Sequence, residues 1–155
     1  MMARRIVILN GPNLNCLGRR ETALYGTQSM EQVMLDIQRR YPDVFFTYYQ
    51  SNHEGDLIDQ LQQPLEHWLC DANPITGFVL NAGGYTHTSV ALRDAVALCP
   101  VPVVEVHITD ITHREAFRRV SLLTDVCAHT IIGHGTGGYM EAVQWLLQNA
   151  TMKNT

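Results

Sequence analysis

Short β-branched runs alternate with amphipathic segments along the whole chain. The runs are Ile6–Leu9, Phe45–Tyr49, Phe78–Leu80, Val103–Val106 and Thr130–Ile132. Most are nearly continuous in apolar residues, as strands buried on both faces of a parallel sheet should be. Between them apolar residues recur with a period of about 3.6, the helical repeat. Met30, Val33, Met34 and Ile37 form one stripe, opened by Ser29 with Gln32 three residues later, which predicts a capping box. Leu57, Ile58, Leu61 and Leu65 form a second, which Pro64 is expected to bend or end. Val90, Ala91, Asp94, Ala95 and Leu98 share a third face. Thr112 and Glu115 predict another capping box before a short helix through Phe117. Tyr139, Ala142, Val143, Leu146 and Leu147 make the last stripe, and the residues from about Thr151 read as a frayed tail.

Five β-α units in sequence imply a parallel sheet covered on both faces, because right-handed crossovers place the helices there. For five strands the expected architecture is α/β and flavodoxin-like, with strand order 2-1-3-4-5. No repeat, low-complexity tract or linker divides the chain, so residues 1–155 are read as one domain. Sheets of this kind bind ligands beyond the carboxyl ends of their strands.

Composition narrows the function classes. Hydrophobic residues at 46% and charged residues at 17% suit a soluble globular protein. A formal charge of −4 argues against a nucleic-acid partner, which calls for a basic face. It leaves room for an anionic substrate, since a few placed arginines can dominate one pocket. Cys16, Cys70, Cys99 and Cys127 form no C-x-x-C pair and read as reduced structural thiols. The opening MMARRIVIL has an apolar run far too short to span a membrane and lacks a small-residue cleavage site. A cytoplasmic protein with no membrane association is the expectation.

Polar residues cluster where the topology predicts a pocket. Asn10-Gly11-Pro12-Asn13 follows the first strand, and Gln50-Ser51-Asn52-His53-Glu54-Gly55 closes the second. Asn81-Ala82-Gly83-Gly84-Tyr85-Thr86-His87 follows the third, and Glu105-Val106-His107-Ile108-Thr109 ends the fourth. The connection from Asn10 to Gln28 is long for such a fold, which suggests a lid carrying Arg19, Arg20 and Tyr25 between hinges at Gly18 and Gly26. The plainer alternative is a solvated loop with a packed tyrosine. His67, His129 and His134 read as ordinary surface or core residues, and His53 as a turn residue; His87 and His107 stand at strand ends. No H-E-x-x-H or paired C-x-x-C occurs, and His107 with His113 lacks a third ligand, so no metal site is expected. Gly133–Gly138 precedes a helix without G-K-[ST], so close packing explains it better than a phosphate cradle.

These residues resemble one family. Asn10-Gly11-Pro12-Asn13-Leu14 with Leu17-Gly18-Arg19-Arg20-Glu21 and Tyr25-Gly26 is similar to the opening signature of the type II dehydroquinases. Gln50–Gly55, Tyr85–Asp94, Pro102–His107, Arg114–Arg118 and Gly137–Tyr139 match its later motifs in the same order. The resemblance runs from about Ile6 to Leu147.

The resemblance implies a hydro-lyase that needs no metal or organic cofactor. It would remove water from 3-dehydroquinate by anti elimination through an enolate to give 3-dehydroshikimate, in the shikimate pathway or in quinate breakdown. Tyr25 would take the C2 proton, and Arg20 would favour the tyrosinate, as a nearby cation does. Asn13 would hold the water on the enolate oxygen. His107 would protonate the departing C1 hydroxyl, with Glu105 orienting its ring. Asn81, His87, Ile108, Thr109 and Arg118 would grip the substrate, Arg118 as a bidentate partner of the carboxylate. Asp94 would complete a neighbouring subunit's site within a homo-oligomer, a dodecamer built as a tetramer of trimers. No lysine is required, and Lys153 is the only one in the chain.

Several segments depart from the family pattern, among them Asn81–Gly84, Thr109, Ile111–Arg114, Thr124–Val126 and Gly133–Gly135. They put local geometry in question and leave the proposed catalytic set intact. The rival class is a flavodoxin-like binding or signalling module for a phosphorylated ligand. A receiver-type module wants clustered acidic residues after the first strand and an aspartate after the third, where this chain has asparagine and glycine.

Overall fold

The computed structural model describes residues 4–67 and 73–149. Five parallel strands form one sheet: β1 (Arg5–Asn10), β2 (Phe45–Gln50), β3 (Ile75–Asn81), β4 (Val103–His107) and β5 (His129–Ile132). Their order is β2-β1-β3-β4-β5, the flavodoxin-like order expected from the alternating pattern. The helices are α1 (Thr22–Tyr25), α2 (Met30–Arg40), α3 (Glu54–His67), α4 (Val90–Leu98) and α5 (Gly137–Asn149). None of the helices among the described residues is long and apolar enough to cross a membrane.

Alternation along the strands divides the core in two. Ile6, Ile8, Val79, Val104 and Val106 face α2 and α5, meeting Met30, Val33, Ile37, Tyr139, Ala142, Val143 and Leu146. Val7, Leu9, Phe78, Leu80 and Val103 face α3 and α4, meeting Leu57, Leu61, Leu92, Ala95 and Val96. The two layers of helices follow from this division, because each strand needs an apolar cover on both sides. β2 is the exception: it lies at the sheet edge, and Phe45 is 56% exposed.

Ser29 and Gln32 form the expected capping box at α2, with Gln32 N donating to Ser29 Oγ and Ser29 N to Gln32 Oε1. Two local expectations need correction, and one is narrowed. Of the two effects expected of Pro64, ending α3 is ruled out, since the helix runs on through His67. The apolar face read for α4 is not the one that packs: Leu92, Ala95 and Val96 are buried, whereas Val90 and Leu98 are each 60% exposed. Ser89 starts the helix, its hydroxyl accepting from Leu92 N at 2.8 Å. The Thr112–Glu115 capping box does not form. The Asp110 carboxylate caps the turn Ile111–His113 by accepting from Thr112 N, and the separate turn Ala116–Arg118 has no side-chain cap. The Thr112 hydroxyl donates to the same Asp110 carboxylate and so is turned away from the start of the next turn. The expected frayed tail and Cys70 lie outside the described residues.

Candidate active site

A cavity of about 180 Å³ opens at the carboxyl ends of β1, β3 and β4. Asn13, Arg20, Tyr25, Asn81, His87, His107, Ile108, Thr109 and Arg118 line it, bringing together residues expected from four separate stretches of sequence. Glu105 does not line it; the carboxylate is buried behind His107. Asp94 does not line it either and is exposed on α4. Arg114, which was not expected in the site, also lines it. The wall carries three guanidinium groups and no carboxylate. A chain of net charge −4 therefore builds a pocket whose local field favours an anion.

The long connection after β1 is tied to the body at both ends. Leu14 and Leu17 are buried in the α2–α5 core, and Gln28 accepts a hydrogen bond from Thr136 Oγ1 at 2.6 Å. Gly18 and Gly26, the expected hinges, sit at φ 86° and 81°, where a side chain is strained. Between them the short helix α1 ends on Tyr25 and points its hydroxyl into the pocket. Two arginines donate to that oxygen: Arg20 Nη2 at 3.3 Å, and Arg114 Nη1 at 2.9 Å. The Arg20 guanidinium also lies over the tyrosine ring, 4.3 Å from its centroid. Arg114 is the pocket residue that the sequence reading left out. Its motif was recognised, but nothing in the chain shows that residue 114 reaches residue 25.

His107 closes β4, and its Nε2–H donates to Glu105 Oε2 at 2.8 Å. Two residues apart on one strand, they share a sheet face, which lets the carboxylate meet the ring as the resemblance implied. Glu105 is 1% exposed and also accepts from Ser121 Oγ, from Thr124 Oγ1 at 2.7 Å and from Thr130 Oγ1 at 3.1 Å. Burial pushes its carboxyl up, but the hydrogen bond and charge of His107 and the hydroxyl donors outweigh that and hold it below the ordinary carboxylate value. The pair is a buried carboxylate holding, through Nε2, an imidazole that lines the pocket.

Other side chains fix the binding wall. Asn13 adopts a left-handed backbone at φ 68°, with its N–H donating to Asn52 Oδ1 at 3.0 Å. Asn52 is held in turn by Gln50 Nε2 at 3.2 Å and by Tyr85 Oη, which donates to the Asn52 carbonyl at 2.8 Å. Asn81 donates to Tyr139 Oη at 2.9 Å, and Tyr139 donates to Asn10 Oδ1 at 2.8 Å. Burial drives the Tyr139 phenol well above its ordinary value, so it acts as a neutral donor. His87 Nδ1–H donates to the Val120 carbonyl at 2.8 Å, which fixes the ring with Nε2 on its other side. Arg118 Nε lies 3.1 Å from Glu115 Oε2, an ion pair without hydrogen-bond alignment.

The remaining described histidines stand apart from the pocket. His129 stacks on Trp145 with ring centroids 5.2 Å apart, His134 pairs with Glu141 at 2.6 Å, and His113 pairs with Asp110 at 2.7 Å. No metal-binding group of histidine, cysteine and acidic side chains occurs among the described residues.

Fold and site together define an α/β enzyme of flavodoxin-like topology. Its carboxyl-end pocket sets a phenol clamped by two cations beside an imidazole backed by a buried carboxylate. Such paired groups serve proton abstraction and proton donation. The dehydroquinase class II family profile matches residues 4–147, and the chain belongs to that family. A 3-dehydroquinate dehydratase of Exiguobacterium sp. is 48% identical over 146 residues, covering 94% of this chain and 95% of the relative. The crystal structure of a type II dehydroquinase from Butyrivibrio crossotus superimposes with a TM-score of 0.84 at 38% identity, covering 94% of this chain and 98% of that one. The type II dehydroquinase of Propionibacterium acnes gives 0.85 at 31% identity, over 96% and 99% of the two chains.

Proposed function

We propose that this protein is a 3-dehydroquinate dehydratase that eliminates water through an enolate. One observation carries the mechanism: the Tyr25 hydroxyl receives both Arg20 and Arg114 in a pocket that also presents the Glu105-backed His107. Tyr25, as tyrosinate, removes the C2 proton, and the electron pair moves into the neighbouring carbonyl to form the enolate. The two guanidinium groups favour the tyrosinate because each interacts more strongly with the anion than with the neutral phenol. Asn13 places a water on the enolate oxygen, where charge develops. The enolate then collapses, the C1–oxygen bond breaks, and His107 delivers its proton to the leaving hydroxyl, which departs as water. Glu105 compensates the imidazolium throughout. Asn81, His87, Ile108, Thr109 and Arg118 bind the substrate's hydroxyls and carboxylate, and the cationic wall supports the choice of an anionic substrate.

The same reading includes a cytoplasmic homo-oligomer, with a dodecamer of four trimers as the expected assembly. Support comes from α4, where Val90, Leu98 and Asp94 form a solvent-facing stripe that a second copy would cover while placing Asp94 at its pocket. Addition of purified protein to dehydroquinate should produce the ultraviolet absorbance of a conjugated enone. Folded protein that gives no absorbance change would remove the proposal.

A further inference from the structure

An ionised carboxylate offers about four lone-pair positions, and Glu105 has a donor at each. Oε2 receives His107 Nε2–H and Ser121 Oγ; Oε1 receives Thr124 Oγ1 at 2.7 Å and Thr130 Oγ1 at 3.1 Å. The donors come from separate parts of the chain. Thr130 is the cross-strand partner of Glu105 on β5, whereas Ser121 and Thr124 lie in the segment that follows the turn Ala116–Arg118. Ser121 is itself oriented, since its oxygen accepts from Leu123 N at 3.1 Å and its proton is left for Glu105. Three hydroxyl groups are more than a carboxylate needs to face one imidazole. They are what a buried carboxylate needs to remain a pure acceptor.

We propose that Ser121, Thr124 and Thr130 are positioning residues for the elimination: they occupy the three acceptor positions that His107 leaves open on Glu105. In doing so they hold the His107 ring with Nε2–H turned inward and Nδ1 as the atom that carries the proton on the pocket side. This rests on the acid role given to His107. With all four positions filled by donors, Glu105 cannot share a proton with the ring, and the ring cannot turn over without leaving an acceptor bare. Removal of the Thr124 or Thr130 hydroxyl empties a position on Oε1 and frees the carboxylate to rotate, so the ring no longer has one preferred tautomer. The backbone of the segment does not depend on the hydroxyls alone. Leu122 N donates to the Thr86 carbonyl at 2.9 Å, and Arg93 Nη1 donates to the Leu122 carbonyl at 2.6 Å.

Thr124→Val deletes the hydroxyl at nearly constant shape and is the test. Turnover on dehydroquinate should fall about ten- to a hundredfold, by analogy with the loss of outer-shell partners that orient metal-bound histidines. KM should stay unchanged, and Thr124→Ser should restore most of kcat. An independent readout is the ¹⁵N spectrum of the His107 imidazole, assigned by its loss in His107→Asn. Wild type should show the Nε2–H tautomer alone when neutral, and Thr124→Val a mixture. Active wild type together with folded Thr124→Val that keeps full kcat and a single tautomer overturns the proposal and leaves the dehydratase reading standing. Wild type without turnover on dehydroquinate removes both. If circular dichroism shows Thr124→Val unfolded, Thr130→Val and Thr130→Ser decide the matter by the same two readouts.

Discussion

Arg114→Ala should cost as much turnover as Arg20→Ala, or more. Both side chains donate to Tyr25 Oη, but Arg114 does so at 2.9 Å and Arg20 at 3.3 Å. The Arg114 side chain is also less exposed, 16% against 29%, so water screens it less. A charge-assisted hydrogen bond contributes about 1.5–3 kcal/mol. At about 1.36 kcal/mol per tenfold, its loss corresponds to a factor of about 10 to 150 in rate. The bare Coulomb interaction of unit charges about 4 Å apart is about 4 kcal/mol at an effective dielectric of about 20, which sets an upper limit near a thousandfold. A loss of about 10² in kcat is therefore expected for Arg114→Ala, within the range of positioned acid–base groups. Arg114→Lys should recover part of it, since a point charge keeps the field but not the fork. The assay is steady-state absorbance of the enone, with circular dichroism to verify the fold. Folded Arg114→Ala with near-wild-type kcat would show that the 2.9 Å contact has no part in activating Tyr25.

His107→Ala should keep its fold and lose about 10²–10⁴ in turnover, the usual worth of a general acid; preserved kcat with weakened substrate binding would move the acid elsewhere. Glu105 has a depressed carboxyl, so the folded protein holds fewer protons there than the unfolded chain. Its contribution to stability is present above the ordinary carboxylate value and is lost as pH falls through that value towards the folded one. Thermal melts across acidic pH should therefore fall steeply for wild type and less steeply for Glu105→Gln, and parallel curves would contradict this. Gly11→Ala should destabilise the protein by about 1–3 kcal/mol, as overpacking does, because a Cβ there would stand 2.4 Å from the Ala82 carbonyl oxygen; unchanged denaturant midpoints would refute it. Sedimentation should show a trimer or dodecamer, and a fully active monomer would contradict a site shared through Asp94.

The strand order and the two helical layers were legible because they rest on local periodicity. Ile6, Ile8 and Val7, Leu9 alternate between faces whatever the rest of the chain does, and parallel strands joined by helices leave few topologies. The Glu105–His107 pair was implied by the family resemblance, and a spacing of two on one strand is why the two side chains meet. The family motifs carried most of the pocket wall, since strand ends collect there by topology. What escaped the sequence depends on distance in space. The α4 face was misassigned because alanines and valines occupy both sides of that helix, and only contact with the sheet selects Leu92, Ala95 and Val96. Arg114 meets Tyr25 across 89 residues, and Thr130 meets Glu105 only through the register of β4 and β5. Thr124, in a segment that looked merely atypical, turns out to hold the carboxylate behind His107. A residue's type and spacing fix which element it belongs to; which distant donor reaches its side chain is decided by how the elements pack, because a hydrogen bond forms only within about 3 Å.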